Sequence, residues 1–284
     1  MGRFERAIVE AGGAQVFVER LRRERPTRGT ILFVNGAVAT TAALRWAVAA
    51  LPDYDLLLFD FPHLGLSRAH NAELASAALE TEAEILSAMI DRYKPEFLAA
   101  QSWGGSSALA ALARRPGSVQ RAIVASYSAG LTAPMRAMTE ALIEAIERYD
   151  PPAAAQLMVT GLGERLPQAA QRLHARYFLQ FDKAKAAVVG AQLRDIAAAS
   201  FAAEAARWGR IELPVLFING ALDRFTPPWS ALPLARACQR ASFAVVPGAG
   251  HFLAMEGAEP CAHVARLIGG FFDADATILA RRRA

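Results

Sequence analysis

A chain of 284 residues, 54% hydrophobic and 20% charged, can bury one large α/β domain with an insertion, or two small domains, and its composition excludes a disordered protein. The net charge of +4 gathers near the ends, in Arg20, Arg22, Arg23, Arg25 and Arg28 and again in Arg281, Arg282 and Arg283, with no aromatics interleaved in the tail, so solvated ends are expected and no nucleic-acid partner. Two cysteines (Cys238, Cys261) make neither a disulfide framework nor a zinc spacing, no apolar run reaches about 18 residues, and no apolar leader follows Met1; a cytoplasmic chain with no membrane span, metal or cofactor is expected.

In chain order, Gln15–Val18 reads as an early strand and Thr30–Val34 as a buried strand ending at Asn35-Gly36. Ala42–Leu51 reads as a helix, Leu56–Phe59 as a buried strand ending at Asp60, and Glu80–Arg92 as an amphipathic helix with Ala83, Leu86 and Ile90 inward. Phe97–Ala100 and Ala122–Ala125 are the next strands. Continuous apolar runs, rather than alternation, suit a parallel sheet covered on both faces. Residues 131–208 then carry no strand signal, are rich in Ala, Leu, Glu and Arg, and break at Pro151-Pro152, so they read as short helices forming a cap. Strands return at Pro214–Ile218 and Ser242–Val246, and a last helix covers about Cys261–Phe272. The expected organisation is a core of residues 1–130 and 209–284 with a helical cap of 131–208 inserted between strands.

Ala100-Gln101-Ser102-Trp103-Gly104-Gly105 joins one of these strands to the helical run Ala108–Ala113. Alone, a serine among small residues would fit an ordinary turn. A serine hydroxyl becomes a nucleophile only with a base in hydrogen-bond reach and an acid to orient that base. Asp223 follows the strand 214–218, and His251 follows the strand 242–246 on Gly248-Ala249-Gly250. The segment after 122–125, Ser126 to Gly130, holds no acid. His63 and His70 precede the serine, His174 sits in the cap and His263 in the last helix. Serine, acid and histidine at three strand ends, in that order, make Ser102, Asp223 and His251 the expected catalytic residues.

Acyl transfer also needs donors for the oxyanion that develops on the carbonyl. The expected donors are the backbone N–H of Trp103, after the serine, and that of Ala37, beside Gly36 in the loop after the strand 30–34. Asn35, Gly36, Met135 and Met138 are the expected substrate contacts. Leu131, Met135, Met138, Leu142 and Ile146 recur at near-helical spacing; that face is expected to pack cap on core, part of it lining an acyl tunnel. Asp60 and Gly65, in the loop Asp60–Ser67, are expected to be structural.

Serine elbow, strand ends and residue order resemble the α/β-hydrolase family, which implies a mostly parallel sheet flanked by helices with a helical cap. Within it, Asn35-Gly36-Ala37 with Ala39-Thr40-Thr41, Ser102-Trp103-Gly104-Gly105, Asn219-Gly220 with Asp223 and Thr226, and Gly250-His251-Phe252-Leu253 with Glu256 resemble one branch. That branch holds the synthases of the rhamnolipid lipid precursor and the related 3-hydroxyacyl-carrier transacylases. Arg224-Phe225 departs from the branch, which often has an acid followed by tyrosine there. The resemblance implies a serine acyltransferase that takes (R)-3-hydroxyacyl thioesters of acyl carrier protein or coenzyme A and joins two of them into a 3-(3-hydroxyalkanoyloxy)alkanoate. A 3-hydroxyacyl-carrier thioesterase or an ACP:CoA transacylase feeding polyhydroxyalkanoate synthesis is the alternative; a non-catalytic ligand-binding protein and a simple carboxylesterase stand further off.

Overall fold

The computed structural model describes residues 2–71, 78–198 and 201–274. An eight-stranded sheet is built from β1 (Gly2–Ala11), β2 (Ala14–Arg23), β3 (Thr30–Val34), β4 (Asp55–Asp60), β5 (Phe97–Gln101), β6 (Arg121–Ala125), β7 (Val215–Gly220) and β8 (Ala241–Val246), in the order β1-β2-β4-β3-β5-β6-β7-β8. Only β2 runs against its neighbours; β4-β3-β5-β6-β7-β8 are parallel. The α/β-hydrolase arrangement expected from the sequence is therefore present.

The apolar runs hide a period of two. Leu32, Val34, Leu57, Phe59, Leu98, Ala100, Val124 and Phe217 pack on one face of the sheet. Ile31, Phe33, Leu56, Leu58, Phe97, Ala99, Ile123 and Ile218 pack on the other. The first face is covered by α2 (Leu79–Tyr93) and α3 (Gly104–Leu112), and the second by α1 (Trp46–Ala50) and α10 (Ala258–Phe272). Burial on both sides is why no polar alternation survives in these strands.

Between β6 and β7 lie α4 (Ala133–Glu147), α5 (Pro151–Thr160), α6 (Gln168–Leu179), α7 (Lys183–Ala198) and α8 (Phe201–Trp208); a short α9 (Leu232–Ala237) precedes β8. Thr132 caps α4 by accepting from Met135 N–H at 3.3 Å, and Asp150 caps α5 by accepting from Ala153 N–H at 3.0 Å. Pro151 and Pro152 therefore begin a helix, where a missing N–H costs nothing. Met138, Leu142, Ile146, Met158, Phe178 and Leu193 form a separate apolar cluster above the sheet.

Three expectations need correction. Gly2–Ala11 is a strand that the sequence analysis left unassigned; it is a mostly exposed edge, held by pairing with β2 across Gly12-Gly13, both at positive φ (58° and 78°). The stretch 42–51 is broken into a 3-10 turn, Thr41–Leu44, and the short α1. The basic cluster near the N-terminus is only partly solvated. Arg20, Arg22 and Arg23 lie on β2, and Arg23 donates to the carbonyls of Val48 (2.8 Å), Leu51 (3.0 Å) and Tyr54 (3.0 Å) at the carbonyl end of α1. Glu19, buried on the same strand, pairs with Arg6 at 2.7 Å and with Arg45 at 2.5 Å. The tail arginines 281–283 lie outside the described residues.

Substituting Leu57→Ala, whose side chain is fully buried, should cost about 2–5 kcal/mol of unfolding free energy. Leu66→Ala, at a side chain 61% exposed, should change it by less than about 0.5 kcal/mol. Urea midpoints at unchanged slope would read both, and equal losses would contradict the packing described.

Candidate active site

β5 ends at Gln101 and α3 begins at Gly104, so two residues turn the chain from strand to helix. Ser102 takes the strain of that turn, with φ at 52° in the left-handed region that side chains other than glycine avoid. Its N–H donates to Ala125 O at 2.9 Å, which anchors the turn to the neighbouring strand. Glycines sit where backbone meets backbone. A Cβ on Gly104 would overlap the Asn35 carbonyl, one on Gly105 would lie 2.7 Å from Val124 Cγ1, and one on Gly36 would lie 3.1 Å from Ser102 Cβ. Ala100 stands inside the buried strand, where a methyl packs without conflict.

His251 follows β8 and Asp223 follows β7, both buried. His251 Nε2 is 3.2 Å from Ser102 Oγ, and Nδ1 is 2.9 Å from Asp223 Oδ2. Burial alone would raise the Asp223 pKa. The charge and hydrogen bond of His251 and the donations from Thr226 outweigh it, and hold Asp223 at about 2. Its carboxylate is thus ionised at any ordinary pH and able to stabilise a protonated imidazole.

Several neighbours escaped the sequence analysis as supports. Asp223 Oδ1 accepts from Phe225 N–H (2.9 Å) and Thr226 N–H (3.0 Å), and the Thr226 hydroxyl donates to Oδ2. Ser126 Oγ donates to His251 O at 2.6 Å, and Gln101 Nε2 to the same carbonyl at 3.3 Å. Glu256 accepts from Gly250 N–H at 2.6 Å and Phe252 N–H at 2.9 Å, bracketing His251, and Arg165 of the helical insertion lies 3.3 Å from its carboxylate. The sequence signal for these was weak: Thr226 and Glu256 belong to the resembling stretches, but no spacing rule gives their roles.

A cavity of about 350 Å³ opens over Ser102. Ala37, Trp103 and His251 reach it from the core, with Met135, Met138 and Phe178 from the insertion. The N–H groups of Ala37 and Trp103 have no acceptor among the described residues, and both residues line the cavity. Asn35 and Gly36 line it as well, but the Asn35 side chain turns into the sheet and donates to Phe59 O at 3.1 Å, so only its backbone is at hand for a ligand. Phe225, the departure from the branch pattern, joins the apolar cluster of the insertion, with Arg224 stacked over its ring at 4.9 Å.

The remaining histidines stand apart from this line. His63 is buried and its pKa is pushed down to about 4 by burial. His174 lines the cavity edge-on to Phe252, and burial lowers its pKa too. Asp60 is structural, as expected: it accepts from Thr41 N–H at 2.7 Å and Leu66 N–H at 3.0 Å, and Gly65 is needed because a Cβ there would overlap the carboxylate. Among the described residues no helix is long and apolar enough to cross a membrane.

Comparison with known proteins agrees with this geometry. Residues 31–264 match the alpha/beta hydrolase family. A curated relative from Pseudomonas putida, named (R)-3-hydroxydecanoyl-ACP:CoA transacylase, is 31% identical over 270 residues, 94% of this chain and 91% of that protein. A protein of the same name from Pseudomonas aeruginosa is 31% identical over 253 residues, 89% of this chain and 84% of that one. Solved structures share the fold: an α/β hydrolase from a Medee basin deep-sea metagenome library has a TM-score of 0.78 at 18% identity, covering 95% of this chain and 98% of its own. The enol-lactonase from Burkholderia xenovorans has a TM-score of 0.77 at 18% identity, covering 94% and 100%. Strand order, serine turn and sequence match together establish that the chain belongs to the α/β-hydrolase family.

Proposed function

We propose that this chain is an acyltransferase acting on (R)-3-hydroxyacyl thioesters through an acyl-enzyme on Ser102. The observation that carries the reading is the hydrogen-bonded line Ser102–His251–Asp223 opening into a largely apolar cavity. His251 Nε2 takes the proton as Ser102 Oγ attacks the thioester carbonyl. The oxyanion is held by the N–H groups of Ala37 and Trp103, and loss of one such donor typically costs about 2.7–4 kcal/mol of barrier. The C–S bond breaks, the leaving thiolate receives the proton from His251, and the acyl group remains on Ser102. An acceptor then gives its proton to His251 and attacks the ester; the Oγ–C bond breaks, and His251 returns that proton to Ser102 Oγ. Asp223 keeps the imidazole in the tautomer that accepts at Nε2.

The helices of residues 131–208 serve as the cap in this reading. They close apolar side chains over the serine, which disfavours water as the acceptor. The names of the relatives support coenzyme A as acceptor and acyl carrier protein as donor. The second reading takes the 3-hydroxyl of another 3-hydroxyacyl thioester as acceptor, giving the rhamnolipid lipid precursor. It is favoured by the Asn35-Gly36…Thr40-Thr41 and Ser102-Trp103-Gly104-Gly105 stretches and by a cavity whose walls suit a second alkyl chain.

Incubation with 3-hydroxydecanoyl-ACP, with and without free coenzyme A, followed by mass spectrometry separates the readings. Acyl-CoA as product supports transacylation and a dimeric hydroxy ester supports the synthase; free monomeric acid alone would leave only a thioesterase. Ser102→Ala should abolish turnover with an unchanged melting temperature. Asp223→Asn should lower kcat on the order of 10⁴-fold by losing the correct tautomer, with the circular dichroism spectrum intact. Acceptance of acyl chains should rise about fourfold in kcat/KM per methylene until the cavity is full, since each buried CH₂ is worth about 0.8 kcal/mol. A flat series would contradict the acyl role of the cavity.

A further inference from the structure

Glu82 opens the first turn of α2, and the amphipathic pattern of that helix places acids between its apolar residues. The structure puts Glu82 inside: it is 1% exposed. It shares a helical stripe with Ile85, Leu86 and Met89, spaced at i, i+3, i+4 and i+7, all buried. Its carboxylate has no cation partner among the ion pairs of the described residues. It is held instead by neutral donors from separate places: Trp103 Nε1 at 3.1 Å, the Ser107 hydroxyl, and Gln192 Nε2 at 3.1 Å. Trp103 directly follows the nucleophile, Ser107 lies on α3, and Gln192 belongs to α7 of the cap.

A buried carboxylate without a cation is costly, and nothing in the packing of α2 requires one. What the carboxylate does, and an apolar side chain could not, is gather donors from the serine turn and the cap at a single point. The geometry points to Glu82 as a positioning residue: it ties cap helix α7, through Gln192, to the Trp103 indole, so that a docked cap fixes the backbone N–H beside Ser102. This inference rests on the acyl-enzyme reading for its consequence and on the four side chains for its geometry.

The groups around the carboxylate fit a tie with two settings. α7 also brings Asp195, whose charge opposes ionisation of Glu82; α3 and the serine turn bring only the neutral Ser107 and Trp103; and the loop after β4 brings His63, kept neutral by burial. Burial pushes Glu82 up to about 7, and its three donors offset this only in part. The His63 imidazole sits against the Gln192 amide, whose Nε2 donates to Glu82. Ionised, Glu82 accepts from all three donors. Protonated, it can donate to Gln192 Oε1 after an amide flip, which turns Gln192 Nε2 toward His63. The folded-state pKa lies above the ordinary 4.5, so the stability tied to this group is full below pH 4.5 and is lost as pH rises through 7.

The test compares wild type with Glu82→Gln, Gln192→Leu and the double variant, reading the rate of fluorophosphonate labelling at Ser102 across about pH 5 to 9. Each single variant should label about tenfold more slowly or worse, with cooperative unfolding retained, and the double variant should be little worse than Glu82→Gln. The ratio of wild-type to Glu82→Gln rates should rise as pH passes 7, and the melting temperature of the wild type should fall relative to that of Glu82→Gln as pH rises from about 5 to 7. Labelling of Glu82→Gln within about twofold of wild type at every pH would overturn the inference. If that variant does not fold, Gln192→Leu decides by the same criterion, since it leaves the carboxylate two donors. If the wild type itself is not labelled, the acyl-enzyme reading fails separately. The Trp103 indole N–H resonance then decides: it should titrate in wild type and shift in Gln192→Leu, and a signal unmoved in both would refute the tie.

Discussion

The site depends on one residue held in a conformation it would not choose. A left-handed backbone at a residue with a side chain costs about 1–2 kcal/mol, and Ser102 keeps it because the turn has no alternative. β5 fixes one side, α3 the other, and the Ala125 carbonyl holds the amide between them. The turn brings Ser102 to the cavity, which the next residue, Trp103, also lines. Gly36 and Gly104 follow from this. They are the places where neighbouring backbone closes on the turn from the β3 side.

Around that turn the molecule manages buried carboxylates by surrounding them with donors. Asp223 is ringed by two N–H groups, a hydroxyl and an imidazole, and Glu256 by two N–H groups and Arg165. Each such acid orders a loop that would otherwise have slack, since every donor it binds loses a backbone or side-chain freedom. Asp60 does the same for the loop facing the serine, with Thr41 and Leu66 as donors. Acids at strand ends thus act as fasteners for the loops that carry the chemistry, and only Asp223 also faces the base.

Much of this was legible in the sequence because parallel strands buried on both faces leave uninterrupted apolar runs, and the reactive side chains lie just past their ends. Ser102, Asp223 and His251 each follow such a run, and their order alone suggested that they meet. β1 was illegible for the converse reason: an exposed edge strand held by one partner needs no apolar face, so Gly2–Ala11 carries no pattern. Arg23 read as solvent-facing because a guanidinium can be consumed by carbonyls that only the fold assembles. The sequence analysis gave Glu82 no role, although its spacing from Ile85 and Met89 places it on the buried stripe; its three donors come from residues up to 110 positions away. Asn35 lines the cavity as expected of a ligand contact, while its amide donates into the sheet, to Phe59 O.

The hydroxyl of Ser102 and the imidazole beside it are 149 residues apart along the chain. During synthesis the serine therefore leaves the ribosome long before its base exists, and β8 must add to the far edge of the sheet before the two can touch. Until then the serine is an ordinary alcohol. The reactivity belongs to the completed sheet, and a chain stalled or cut before β8 carries the nucleophile without the means to use it.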